Sequence, residues 1–393
     1  MGEVSHRRVL IRTRPLGKGN YGGILQAYAL QAAVRSVGWL PVTDTSTGVV
    51  APAGGNSLEK GSAKARLRQV LELADLPGLT RRRWVADSLR VQRDQQLSRF
   101  ISDWIATVEL YDSEGNARPE VLDEFDGFIT GSDQVWRGAY GRIPSYLFDF
   151  LGKSDKRPRI AYAASFGTDD LTEYPGSLIK VTKPLARRLD SVSVREGSGV
   201  EMARKMWGIN ATHVLDPTLL LPARQYRSLL QDRAEGVTEG ALVSYILDPN
   251  RYTRRLAARL ESELGISQTS LLPEAPRTRR AYRRGPERYA RPSVEQWLAS
   301  IASASFVLTD SFHGTVFALM FNRPFLTVVN TERGAARFES VLALVGLTSR
   351  LISRCNEVDP ALIAGSIDWS SVNERIEQAR RHSMRFLDAA LAQ

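Results

Sequence analysis

The chain has 393 residues, enough for two domains of about 150 to 200 residues each with a sizeable buried core. Its 43% hydrophobic and 24% charged residues exclude a disordered, collagenous or coiled-coil chain. The one cysteine, Cys355, excludes an internal disulfide, and no apolar run approaches the roughly 18 residues of a membrane span, so a cytoplasmic protein is expected. With 53 Lys+Arg against 43 Asp+Glu the net charge is +10, which invites an anionic partner. Only 8 of the basic residues are lysines and 45 are arginines, the side chain that forks onto carboxylate and phosphate.

The chain opens as strand, loop, helix, strand. Val9-Leu10-Ile11 is a short β-branched run, and Gly17 to Gly23 holds too many glycines for an element interior. Apolar residues then recur at helical spacing from Ile24 to Val34, Gly38 stops the helix, and Leu40-Pro41-Val42 resumes extended chain. The same grammar returns at Phe128-Ile129-Thr130, Ile160 to Ala164, Val192-Ser193-Val194 and Val214-Leu215. A second set begins near Ala241: a strand over Leu242 to Leu247, an amphipathic helix over Tyr252 to Leu264, a capping box at Ser293 and Gln296, and strands at Phe306-Val307-Leu308 and Phe325 to Val329. Alternating strands and helices predict parallel sheets whose ligands sit beyond the carboxyl ends of the strands. The expected fold is α/β, with two Rossmann-type domains, residues 1–230 and 231–393, facing a cleft.

Two segments break this grammar. Residues 60–105 hold ten Lys+Arg against five Asp+Glu, with Leu97, Phe100, Ile101 and Trp104 at helical spacing. This predicts a basic helical insert, read either as a solvated face over a core stripe or as a peripheral contact with the inner membrane face. Residues 277–291 hold seven arginines and one glutamate, with Tyr282 and Tyr289. They predict a loop that overhangs the cleft and attracts an anion. The remainder of the chain is close to neutral.

Of the histidines, His6, His213, His313 and His382, only His313 sits where a strand delivers the chain onto a helix N-terminus, a position suited to anions and to proton transfer. The Gly17 to Gly23 loop matches neither dinucleotide nor Walker spacing. No cluster has metal-ligand spacing and G-x-S-x-G is absent, so neither a metal, a cofactor nor a serine hydrolase is expected.

Six motifs occur in order. They are Asn20-Tyr21-Gly22-Gly23-Ile24-Leu25-Gln26, Gly131-Ser132-Asp133-Gln134-Val135-Trp136, Tyr162-Ala163-Ala164-Ser165-Phe166-Gly167, Val194-Arg195-Glu196, Leu215-Asp216-Pro217-Thr218 and Thr309-Asp310-Ser311-Phe312-His313-Gly314. Together they resemble the polysaccharide pyruvyl transferase family, from about residue 9 to about residue 350. The resemblance implies a GT-B-like pair of Rossmann-type domains. It also implies transfer of a pyruvyl group from phosphoenolpyruvate to sugar hydroxyls of a polysaccharide or lipid-linked precursor, forming a ketal.

That chemistry needs a positive fork for a carboxylate and a phosphate, an acid for C3 of the donor and a base for the sugar hydroxyl. His313 is the candidate acid or phosphate ligand and Arg195 the candidate anion clamp. Asp133 is a candidate base or hydroxyl acceptor, with a turn cap as the alternative, and Asp310 either orients His313 or holds its loop. Asn20, Tyr21, Gly22, Ser132, Gln134, Ser311 and Gly314 follow as substrate-binding candidates. Other branches of the resembling family carry Arg-Leu-His-Gly where this chain has Ser311-Phe312-His313-Gly314, so another cation must serve. Arg333 and Arg337 are the candidates, a solvated helix start being their alternative. Two other functions fit the composition: a GT-B glycosyltransferase using a nucleotide sugar, and a basic binder of nucleic acid or membrane. The second lacks any nucleic-acid recognition signature, so no specific nucleic-acid partner is expected.

Overall fold

Parallel strands buried on both faces need continuous apolar runs, and the short runs of this chain supply them. The computed structural model of the chain describes residues 7–17, 19–46, 94–230, 236–273, 284–285, 289–329, 334–353 and 358–392. Within them the first sheet contains β1 (Arg8–Arg12), β2 (Leu40–Asp44), β3 (Thr107–Val108), β4 (Gly127–Thr130), β5 (Arg159–Ala164), β6 (Ser191–Val194) and β7 (Thr212–His213). Their order is β3-β2-β1-β4-β5-β6-β7, all neighbours parallel. The second sheet contains β8 (Leu242–Tyr245), β9 (Gln268–Ser270), β10 (Phe306–Thr309), β11 (Phe325–Val328) and β12 (Leu351–Ile352), in the parallel order β12-β11-β10-β8-β9. The α/β architecture with two parallel sheets is thus the one expected. Residues 231–235, which follow the expected boundary between the two domains, lie outside the described residues.

Strand order reverses between β1 and β4 in the first sheet and between β8 and β10 in the second. Loops diverge at such switch points and leave a crevice beyond the strand ends. Four loops leave these strands, and they carry the site.

Helix α1 (Tyr21–Ser36) is buried nearly all round, from Tyr21 to Gln31, and the Asn20 side chain caps it by accepting from Gly23 N at 3.0 Å. It lies between the sheets. Tyr21 stacks on Trp297 with centroids 5.4 Å apart and planes 12° apart, and its hydroxyl donates to Pro292 O at 2.7 Å. Burying such side chains contributes about 1.5–3 kcal/mol each, so the two halves are joined by core rather than by a bare linker. Trp297 belongs to α3 (Val294–Ser303), which opens with the capping box expected at Ser293 and Gln296. Of the basic insert, the described part forms α2 (Gln95–Trp104), which buries Leu97 and Phe100 as the spacing predicts; residues 47–93 lie outside the described residues.

The last helix, α6 (Trp369–Leu391), returns to the first half. Ser383 Oγ accepts from Leu215 N at 2.9 Å and Arg380 Nε donates to Leu219 O at 2.7 Å. On the same side Ser340, in α5 (Ala336–Val345), holds its hydroxyl 3.1 Å from His213 Nε2 and accepts from Gly197 N at 3.1 Å. His213 is therefore a structural bridge between the halves. No helix among the described residues is long and apolar enough to cross a membrane.

Candidate active site

The crevice between the two switch points is a cleft of about 1210 Å³. Its first-half wall carries Arg14, Asn20, Asp133, Gln134 and Tyr140; its second-half wall carries Ser244, Arg254, Arg291, Asp310 to His313 and Arg337. Each wall is explained by the strand that feeds it.

Beyond β10, Ser311 caps helix α4 (Phe312–Met320) by accepting from Gly314 N at 3.4 Å. This fixes His313 on the first helical turn, buried, with its ring facing the other half. Asp310 is spent locally: its two oxygens accept from Leu247 N at 2.6 Å and Asp248 N at 2.9 Å. It holds the loop after β8, a different loop from the one that carries His313. Gly314 also departs from expectation, because a Cβ there would stand 2.3 Å from Thr309 Oγ1. Its lack of a side chain lets α4 pack on β10.

Beyond β4, Asp133 adopts φ 73°, and its carboxylate accepts from Gln134 N at 2.8 Å. It lies 3.6 Å from Arg195 Nη2 and 3.9 Å from Arg14 Nε. Burial pushes its carboxyl up, but Arg195 and Arg14 outweigh burial and hold it below the ordinary value. An ionised Asp133 accepts hydrogen bonds and cannot serve as an acid at neutral pH. Ser132 is fully buried behind it, its hydroxyl donating to Ala163 O at 2.8 Å.

Arg195 likewise lies beneath the cleft surface rather than on it. Its guanidinium donates to Asp216 Oδ2 at 2.9 Å and lies 4.6 Å from the centre of the Phe312 ring. Burial opposes its charge and Asp216 and Asp133 restore it, with the net effect upward. The expected anion clamp is thus a buried cation that hydrogen-bonds Asp216 through Nη1, while Nη2 lies 3.6 Å from Asp133 and neither Nη2 nor Nε makes a hydrogen bond.

Arg337 is buried as well, but it lines the cleft. It lies 5.7 Å from the Phe312 ring centre and 5.6 Å from that of Phe338. With the Gln134 amide oriented to satisfy both neighbours, its oxygen accepts from Arg337 Nη1 at 3.2 Å and its nitrogen donates to Tyr140 Oη at 3.0 Å. Arg14 in turn lies 3.9 Å over the Tyr140 ring. Arg14, Tyr140, Gln134 and Arg337 form one continuous strip across the cleft. Burial, with Arg195 next, lowers the Arg337 guanidinium to about 10, which leaves it charged at neutral pH. Arg333 lies outside the described residues.

Asn20 lines the cleft as the cap of α1, whereas Tyr21 is buried in the junction described above. Gly22 and Gly19 serve packing across the halves: a Cβ on Gly22 would meet His313 Nδ1 at 1.9 Å, and one on Gly19 would meet Arg291 Cζ at 2.2 Å. Arg291, the last arginine of the basic loop, lines the cleft and pairs with Asp94 at 2.8 Å. Most of that loop, 274–283 and 286–288, lies outside the described residues. Arg14, Tyr140, Arg254, Arg291 and Asp216 were not singled out as site residues from sequence. Asp216 stands in the Leu215-Asp216-Pro217-Thr218 motif and Arg291 in the basic loop expected to overhang the cleft, whereas Arg14, Tyr140 and Arg254 carry no local signal.

A fold of two parallel sheets with a polar, arginine-lined cleft at facing switch points defines a Rossmann-type α/β enzyme scaffold. The chain belongs to the polysaccharide pyruvyl transferase family, whose model matches residues 20–332, and is thereby a transferase. No curated protein matches it significantly. It is similar to two solved structures of sugar enzymes. UDP-GlcNAc 2-epimerase from Neisseria meningitidis bound to UDP-GlcNAc is 9% identical, with TM-score 0.47, over 98% of this chain and 99% of that one. The ADP-heptose LPS heptosyltransferase II of E. coli is 11% identical, with TM-score 0.34, over 95% and 99%.

Proposed function

We propose that the protein transfers the pyruvyl group of phosphoenolpyruvate to two hydroxyls of one sugar residue in a polysaccharide or its lipid-linked precursor, giving a cyclic ketal and phosphate. The observation that carries this reading is the strip Arg14–Tyr140–Gln134–Arg337 in the cleft that Asp133 and His313 also line. It offers two guanidinium groups, a cation for each anionic group of the donor. Arg337 takes the place of the arginine that Ser311 and Phe312 lack, and the Phe312 ring supports it.

The reaction balances as follows. A proton is added to C3 of the donor, turning the methylene into a methyl group, while a sugar hydroxyl adds to C2 and loses its proton. The C2–O bond to phosphate then breaks, phosphate leaving with the electron pair, and a second hydroxyl adds to C2 and loses its proton. His313 is assigned the proton exchange and Asp133, held ionised, the orientation of the attacking hydroxyl. Arg14 and Arg337 neutralise the donor's carboxylate and phosphate, including the charge that accumulates on the phosphate as it leaves.

Phosphate release from phosphoenolpyruvate is the direct test. It is expected only when a glycan with a suitably spaced free hydroxyl pair is present, and to be abolished in His313→Ala. Release that does not depend on any glycan, or none with a broad panel of glycans and lipid-linked sugars, overturns the reading. A nucleotide-sugar donor is the second reading, because the second-half wall, with Ser244, Gln268 and Arg254, extends beyond what a three-carbon donor fills. Saturable binding of a nucleoside diphosphate that phosphoenolpyruvate does not displace would favour it.

A further inference from the structure

We propose that Asp216 is the positioning residue of His313, fixing the tautomer and plane of the imidazole from the opposite half of the molecule; this rests on the transferase reading above. Asp216 is fully buried in the turn after β7, and every polar contact on it serves to aim it. Oδ1 accepts from Thr218 N at 3.0 Å and Thr218 Oγ1 at 2.7 Å. Oδ2 accepts from Arg195 Nη1 at 2.9 Å, lies 3.4 Å from Ser132 Oγ, and faces His313 Nε2 at 3.7 Å. That nitrogen is itself buried and makes no hydrogen bond. A buried imidazole nitrogen without a partner is costly unless a charge lies close by, and Oδ2 of Asp216 is the carboxylate oxygen recorded in ion-pair range of it.

The imidazole is confined on its other sides too. Gly22 packs against Nδ1 and the Phe312 ring meets it edge-on at 5.2 Å. The result is a row of alternating charge, His313, Asp216, Arg195, Asp133 and Arg14, that runs from one wall to the other beneath the cleft. A contact of 3.7 Å is longer than a hydrogen bond, and such catalytic contacts shorten in the substrate complex. With Nε2–H directed at Asp216, Nδ1 is left as the acceptor nitrogen, on the side where the ring packs against Gly22.

Ring 15N spectra of the full chain, with His313 assigned by its loss in His313→Gln, test this at a pH where the ring is neutral. The wild type is expected to carry its proton on Nε2. Asp216→Asn is expected to shift or redistribute that proton and to lower kcat about tenfold to hundredfold, with KM for phosphoenolpyruvate changed less than about twofold. A wild-type proton on Nδ1 overturns the proposal without any variant, even if Asp216→Asn fails to fold. Unchanged His313 shifts in a folded Asp216→Asn overturn it as well. Absence of turnover in the wild type refutes the transferase reading alone, because the spectra still judge the pair.

Discussion

Gly22 and His313 meet across the two halves so closely that a single added carbon on the glycine would stand 1.9 Å from the imidazole Nδ1. The N-terminal glycine motif is thereby explained by a histidine almost 300 residues away. Gly22→Ala must displace the ring or part the halves. Activity is expected to fall at least tenfold, with a loss of stability of about 1–3 kcal/mol as for other overpacked sites. Phosphate-release kinetics and denaturant unfolding check it, and Gly314→Ala separates the effects. That substitution crowds Thr309 in the same helix turn from the opposite side, so it is expected to destabilise α4 without filling the imidazole's place.

Arg337 combines a fork with stacking, and lysine supplies neither. Arg337→Gln is expected to raise KM for phosphoenolpyruvate tenfold or more, and Arg337→Lys to recover only a small part of that loss. Equal KM values for wild type and Arg337→Gln in steady-state kinetics would remove Arg337 from the donor site.

The strands, the first helix and the capping box were legible because their signals are local: buried β-branched runs, 3.6-residue spacing and a cap three residues before its partner. His313, Asp133, Gln134 and Arg337 were legible as cleft residues because each follows a strand end. What the sequence hid was direction. Arg195 and Asp310 sit at equally suggestive positions, yet one is engaged by Asp216 and Asp133 and the other by two backbone amides. Tyr21 and Gly22 lie beside a cleft residue in the chain, but both face the second half. Arg14 and Tyr140 reach the cleft through tertiary packing, for which no short motif exists, whereas Arg291 was legible as the end of the arginine-rich loop.

Acid stability should report the buried row of charges. Burial raises the Asp216 carboxyl, and His313 and Arg195 reverse this so strongly that it ends well below its ordinary 3.8; Asp133 is lowered in the same sense by Arg195 and Arg14. A carboxyl depressed by folding adds stability above its unfolded value and loses it as pH falls below that value. The wild type should therefore lose stability steeply below about pH 4. Asp216→Asn, if it folds, should be weaker by about 3 kcal/mol at pH 7, because Arg195 stays buried with one partner fewer, and should show a shallower decline in acid. Unfolding curves from pH 7 to pH 3 measure both, and parallel curves for the two proteins would contradict the assignment.

Asp94 lies within the first basic segment and Arg291 ends the second, and their ion pair of 2.8 Å joins the two segments at the rim of the cleft. Gly19 leaves room for the guanidinium there, since a side chain at that position, with φ +74°, would overlap it. In the free protein Arg291 is thus a cleft cation with its charge half-spent on Asp94. Asp94→Asn should release that charge toward an anionic substrate and lower KM about two- to fivefold at low ionic strength. Arg291→Ala should raise KM instead. Both effects should fade as salt shortens the screening length from about 30 Å at 0.01 M to about 8 Å at 0.15 M, because the pair is only partly buried. Kinetics over that salt range decide the matter: a KM that ignores both substitutions would make the pair a structural clasp, and one that moves oppositely in the two variants would make it part of how the cleft attracts its anion.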